Sequence, residues 1–226
     1  MIWDDIGFLL SKNRYSENSL IVEIFTKNYG KISGIVFGGT SKKIRNYLQI
    51  GNELYVNYNS KNENKLGYFK IEIQKVYSPF FFDNHQKLFC ISSAMQLIKV
   101  LTADSQKNLE IYDLINRFYE IFNSDKWIRD YIFWELDLLS IVGYNFEFEK
   151  LLNMDLINNK TKYEIKSSNQ LKLVPKFLID KNDSNPNQKS LLDGLKLVSD
   201  FLEKNILKPN NLGHPINRIQ FIDTLK

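Results

Sequence analysis

The chain has 226 residues, 43% hydrophobic and 14% aromatic, with a net charge of +4. That composition suits one or two folded cores and excludes a disordered chain. The one cysteine, Cys90, excludes an internal disulfide and a cysteine-built metal site, and its neighbours Phe89 and Ile91 mark it as a buried hydrophobe.

Residues 1–80 read as β structure. Ile6 to Ser11 and Leu20 to Thr26 are the first two runs, and Lys27-Asn28-Tyr29-Gly30 supplies a turn. Lys31 to Phe37 is the third run, stopped by Gly38-Gly39, and a basic linker follows. Glu53 to Asn59 and Leu66 to Tyr77, joined by a polar turn, form a hairpin with a long loop. Five strands in this length predict a small closed or nearly closed barrel, because closure removes exposed edges. Alternation puts Leu54, Val56 and Tyr58 on one face with Tyr55 and Asn57 opposite; Phe69, Ile71 and Ile73 likewise oppose Tyr68, Lys70, Glu72 and Gln74.

Ser78-Pro79 ends the β pattern. Helices are predicted over 83–103, 108–123 and 126–143, the last apolar on most faces as in a central core helix. From Asn145 to Pro186 the pattern weakens to an irregular region or small hairpin, and two helices follow, 189–206 and 215–225. The fold class is α+β, a β barrel over residues 1–80 followed by an α-helical domain over 81–226 with an irregular insert around 145–188.

No run approaches the ~20 apolar residues of a membrane span. The opening Met1-Ile2-Trp3-Asp4-Asp5 has acids where a secretory leader has bases, so a cytoplasmic protein with no membrane partner is expected. Catalysis is poorly supported. His85 and His214 stand in unrelated contexts without metal-ligand spacing, and Cys90 lies in an apolar helical stretch that should silence it. Gly38-Gly39-Thr40-Ser41-Lys42-Lys43 lacks the Gly-Lys-Ser/Thr ending of a nucleotide loop. Glu147 and Glu149 would share a strand face, which usually means solvated surface. The expectation is a non-enzyme with no cofactor and no metal.

Charge is unevenly placed. Residues 1–80 hold 11 Lys/Arg against 7 Asp/Glu, whereas residues 81–226 hold 19 of each. Between residues 24 and 52 lie Lys27, Lys31, Lys42, Lys43 and Arg45 with no acid, which points to a polyanion partner. The glycines, Thr40 and Ser41 add backbone and hydroxyl donors of the kind that meet phosphate, and nothing there reads base edges. On composition alone this segment is equally a solvated basic loop. Tyr55, Tyr68 and Lys70 on an outer face are either ordinary surface residues or a stacking platform for bases.

Four stretches resemble the RecO family of bacterial recombination mediators. They are Tyr15-Ser16-Glu17-Asn18-Ser19-Leu20 with Phe25-Thr26 and Gly30-Lys31; Gly38 to Lys43 with Leu48 to Asn52; Trp134 to Leu139 through Gly143-Tyr144; and Leu207-Lys208-Pro209 with Leu212-Gly213, Pro215 and Arg218. Their order spans nearly the whole chain. The resemblance implies an N-terminal OB-fold, binding of single- and double-stranded DNA, strand annealing, and work with RecR, and often RecF, to help RecA displace single-stranded DNA-binding protein (SSB). It also implies capture of the acidic, hydrophobic-ended SSB tail. Phe37 and Thr40 stand where the family often has basic residues, so Phe37 is expected to stack on a base and Lys42, Lys43 and Arg45 to carry more of the binding. Phe133 replaces an arginine linked to tail capture, leaving Arg129 and Lys126 as its expected substitutes. A four-cysteine zinc site of some relatives is absent. Two other readings stay open: an adaptor for SSB and RecR with little DNA affinity, and an RNA-binding OB-fold protein.

Overall fold

The computed structural model describes residues 1–61, 65–146, 152–157, 160–167, 170–180, 182–183 and 185–226, with backbone alone between 152 and 173. Glu147 and Glu149 lie outside the described residues.

The N-terminal strands are β1 (Ile2–Arg14), β2 (Ser19–Thr26), β3 (Gly30–Phe37), β4 (Glu53–Asn59) and β5 (Gly67–Lys75). They close into a barrel in the order β1-β2-β3-β5-β4, since β1 pairs with both β2 and β4. The remaining seam is a short parallel pairing of β3 with β5, Gly34 opposite Gly67 and Ile35 opposite Tyr68. The alternation read from β4 and β5 holds. Leu54, Val56, Tyr58, Phe69 and Ile71 line the barrel core with Trp3, Val22, Ile24 and Val36. Burying each such side chain contributes about 1.5–3 kcal/mol relative to leaving it in water. A five-stranded barrel of this order is an OB-fold, and helices follow it, as expected from the sequence.

Two local features depart from the sequence reading. First, β1 starts at Ile2 rather than Ile6. The two acids within that extension have partners: Asn57 Nδ2 donates to Asp4 at 2.7 Å, and Asp5 accepts from the Asn28 backbone N–H at 2.7 Å. Second, the basic linker after β3 is partly a helix, α1 (Lys42–Tyr47). Ser41 caps it, its side chain accepting from the Ile44 N–H. Ile44 and Leu48, four residues apart, turn the same way, and Leu48 is fully buried in the barrel core. Six residues are too few for a helical period to show in sequence.

The chain packs into two compact units. One comprises Met1–Tyr119 with Pro215–Thr224, the other Glu120–His214 with the last two residues. The first adds α2 (His85–Leu101), α3 (Leu109–Phe118) and a C-terminal helix, labelled α7 (Ile216–Asp223), to the barrel. Asn84 and Asn108 cap α2 and α3 through their side chains, accepting from Lys87 and Ile111 N–H at 3.0 Å each. α7 is tied to α2 by the Asn217 N–H donating to Gln96 Oε1 at 2.7 Å. α3 is tied to the barrel by the Tyr112 hydroxyl, which donates to the buried Glu53 carboxylate at 2.7 Å. Burial, reinforced by that carboxylate, pushes the Tyr112 phenol far above its ordinary value.

The second unit holds α4 (Trp127–Ile141), β6 (Leu152–Ile157), β7 (Lys160–Ser167), β8 (Gln170–Leu173), α5 (Lys176–Ile179) and α6 (Gln188–Leu202). The segment read as irregular or a small hairpin carries a three-stranded antiparallel sheet, β6-β7-β8. Its strands are four to eight residues long and β7 is rich in Lys, which blurs the two-residue period. Tyr131, Ile132, Leu138, Leu139, Phe177, Leu195 and Val198 are buried in this unit. Among the described residues, no helix is long and apolar enough to cross a membrane, and no group of three or more His, Cys, Asp or Glu is placed to hold a metal ion.

Candidate nucleic-acid interface

The sequence-predicted residues fall into separate groups. At the end of β3, Phe37 is 63% exposed, and its ring lies 5.9 Å from that of Tyr68 on the neighbouring β5. Tyr68 and Lys70 share the outer face of β5, since they are two residues apart. Beyond Phe37 the chain turns at Gly38, whose carbonyl accepts from the Ser41 N–H at 2.9 Å. It then enters α1, where Lys42, Lys43 and Arg45 are all exposed. None of the three forms an ion pair among the described residues. The Thr40 hydroxyl is turned to the Glu17 carbonyl at 3.4 Å, and Ser41 is engaged as the helix cap. The result is an aromatic pair, Phe37 exposed and Tyr68 half-buried, leading directly into a short helix that carries three cations.

Lys12 belongs with this cluster, although no sequence signal marked it. Its ammonium donates to the Leu48 carbonyl just after α1. Burial, and then the positive charge of Arg45, hold its pKa below the usual lysine value. A bulge between Leu9 and Ser11 turns Lys12 to the side of Val22, which is a barrel-core residue. That shift of facing is invisible in the residue pattern. Two cations held close together are the kind of arrangement that an added phosphate relieves.

Other predicted residues are placed differently. Lys31 is buried, and its ammonium donates to the carbonyls of Lys99 at 2.7 Å and Thr102 at 2.6 Å, at the end of α2. Asp104 completes the set at 3.2 Å. The cation therefore sits where it favours the negative end of the helix dipole. Lys31→Ala is expected to cost about 1.5–3 kcal/mol of stability by urea titration, the range for hydrogen bonds to a charged group. The salt dependence of polyanion binding should stay unchanged in the same variant. Lys27 is exposed at the β2–β3 turn, its ammonium 6.0 Å from the centre of the Tyr112 ring. β3 separates it from Phe37 by about 25 Å of extended chain. Tyr55 faces acids: burial, then the charge and hydrogen bond of Asp4 and the charge of Glu72, raise its phenol pKa. Its strand partner on β5 is Glu72, so the tyrosine lies against carboxylates rather than among the cations.

In the second unit, Lys126 and Arg129 share a cleft of about 230 Å³ at the start of α4. Its apolar lining is Ile128, Pro186 and Leu191, and Asp125 stands on its rim. The Arg129 guanidinium lies 4.8 Å from the centre of the Phe133 ring and 3.4 Å from an Asp130 carboxylate oxygen. Phe133, which stands where an arginine was expected, thus forms a face on which Arg129 rests.

Residues 1–77 match the family model described as Recombination protein O N terminal. Relatives similar to the chain over most of its length include DNA repair protein RecO of Rickettsia canadensis (strain McKiel). That protein is 31% identical over 190 residues, covering 79% of this chain and 78% of the relative. DNA repair protein RecO of Rickettsia conorii (strain ATCC VR-613 / Malish 7) is 30% identical over 79% of this chain and 80% of its own. The protein of the same description from Rickettsia bellii (strain OSU 85-389) is 31% identical, covering 79% of each.

Proposed function

The chain belongs to the RecO family of DNA repair proteins, and from that premise we propose that it binds single- and double-stranded DNA without sequence preference and anneals complementary strands. A role in DNA repair and recombination is that of the family. The finer reading rests above all on the exposed Phe37, with the half-buried Tyr68 beside it, running into Lys42, Lys43 and Arg45. Aromatic faces accept bases of any sequence, and cations without carboxylate partners replace the counterions of phosphate. Annealing needs no covalent chemistry. Two negative strands approach once their phosphates are neutralised, so the protein acts as a mediator and not as an enzyme.

The cleft of Lys126 and Arg129 supports capture of the SSB tail. Two cations match the acids of such a tail, and Ile128, Pro186 and Leu191 match its apolar end. With RecR, and with RecF where it is needed, the protein would then help RecA onto SSB-coated DNA. The test is annealing of complementary strands coated with SSB, with and without the protein. Acceleration that falls with salt is expected. Tail-peptide binding without any acceleration would leave an adaptor in place of an annealing protein, and a strong preference for structured RNA would point to RNA processing.

A further inference from the structure

A cavity of about 490 Å³ lies in the barrel unit, outside the basic cluster. Three stacked rings form one wall: Trp3 lies between Tyr29, at 4.1 Å and 18°, and Tyr58, at 4.8 Å and 26°. Ile32 and Leu66 add apolar surface, while Ser33, Ser60 and Lys65 supply polar groups. Lys65 is exposed and forms no ion pair among the described residues. The acid at this cavity, Asp104, is matched by Lys31 at 3.2 Å. The lining therefore carries a net positive charge beside an aromatic wall.

We propose that this cavity takes a single unstacked base of a DNA strand, the base against the Trp3–Tyr29–Tyr58 wall and its phosphate toward Lys65. The proposal rests on the DNA-binding reading above and adds a discrete nucleotide pocket to it. Three observations favour a nucleotide as occupant. The volume falls within the roughly 300–1,000 Å³ of small-molecule sites. The wall is aromatic and the polar groups include Lys65, a cation with no ion pair among the described residues, which is the chemistry of a ring joined to an anion. Finally, Leu66 at the cavity precedes Tyr68, the neighbour of the exposed Phe37, by two residues, about 7 Å of chain, so a strand crossing Phe37 and Tyr68 passes beside it.

The test uses the emission of Trp3, isolated by subtracting the signal of a Trp3→Phe variant. Deoxyadenosine monophosphate and a short single-stranded oligonucleotide should both change it saturably, and deoxyribose 5-phosphate, which has no base, should not. Ser33→Leu, which adds bulk beside the cavity, should abolish the response to the mononucleotide. It should also weaken the oligonucleotide roughly five- to a hundredfold, the worth of one stacked base, with the salt slope lowered by no more than the ~0.7 of one phosphate contact. An oligonucleotide that binds with a steep salt slope yet leaves Trp3 emission untouched overturns the pocket and spares the DNA reading. A response to N-acetyl-phenylalanine amide but not to the mononucleotide also overturns it, making this a pocket for a protein side chain. Absence of oligonucleotide binding removes both readings.

Discussion

Replacing Lys42, Lys43 and Arg45 together by alanine is expected to weaken single-stranded DNA binding about a hundredfold near 0.1 M salt. The slope of log affinity against log salt should flatten by about two units in the same variant. Each phosphate neutralised on a single strand contributes about 0.7 to that slope, hence about fivefold in affinity for each tenfold dilution of salt below ~1 M. Three contacts multiply to about a hundred. The substitution should leave the fold alone, because all three side chains are exposed and alanine is the best helix former. The elements that hold α1 in place, the Ser41 cap and the buried Leu48, are untouched. Fluorescence anisotropy over a salt series, beside a urea titration, separates electrostatics from unfolding. An unchanged slope with a folded variant would place the DNA contact elsewhere on the molecule.

What the sequence made legible, and what it hid, follows a physical division. Local rules worked where one element decides its own fate. Alternation put Leu54, Val56, Tyr58, Phe69 and Ile71 in the barrel core. What a side chain meets across the fold is another matter. Lys31 and Lys42 look alike in sequence, but Lys31 ends at carbonyls about seventy residues further along, on α2. Tyr55 and Tyr68 occupy equivalent outward positions on adjacent strands, yet one faces Asp4 and Glu72 and the other faces Phe37. The bulge that turns Lys12 toward the barrel core is a two-against-one mismatch of strands, which no single strand records. The return of α7 to α2 is a contact between segments about 120 residues apart, beyond any local pattern.

The same division gives the second large effect, at a glycine whose turn was legible and whose neighbour was not. Gly30 and Gly38 both have a left-handed backbone, φ +70 and +68, so alanine at either should cost about 1–2 kcal/mol of strain. At Gly38 a Cβ would meet nothing within 4 Å, and the cost should stop there. At Gly30 a Cβ would overlap the backbone carbonyl of Gln106, which has no rotamer by which to move aside. The segment would have to lift from the barrel. That threatens the Ser105 N–H donating to the Lys31 carbonyl at 2.9 Å, and the Lys31–Asp104 pair beside it. Each hydrogen bond lost from a buried backbone group adds about 1 kcal/mol or more. Gly30→Ala should therefore destabilise by about 2–3 kcal/mol or more, against about 1–2 for Gly38→Ala. Urea midpoints at constant slope measure both. Equal losses at the two glycines would show that the Gln106 segment yields freely and that the tie between the β2–β3 turn and the chain after α2 contributes little to stability.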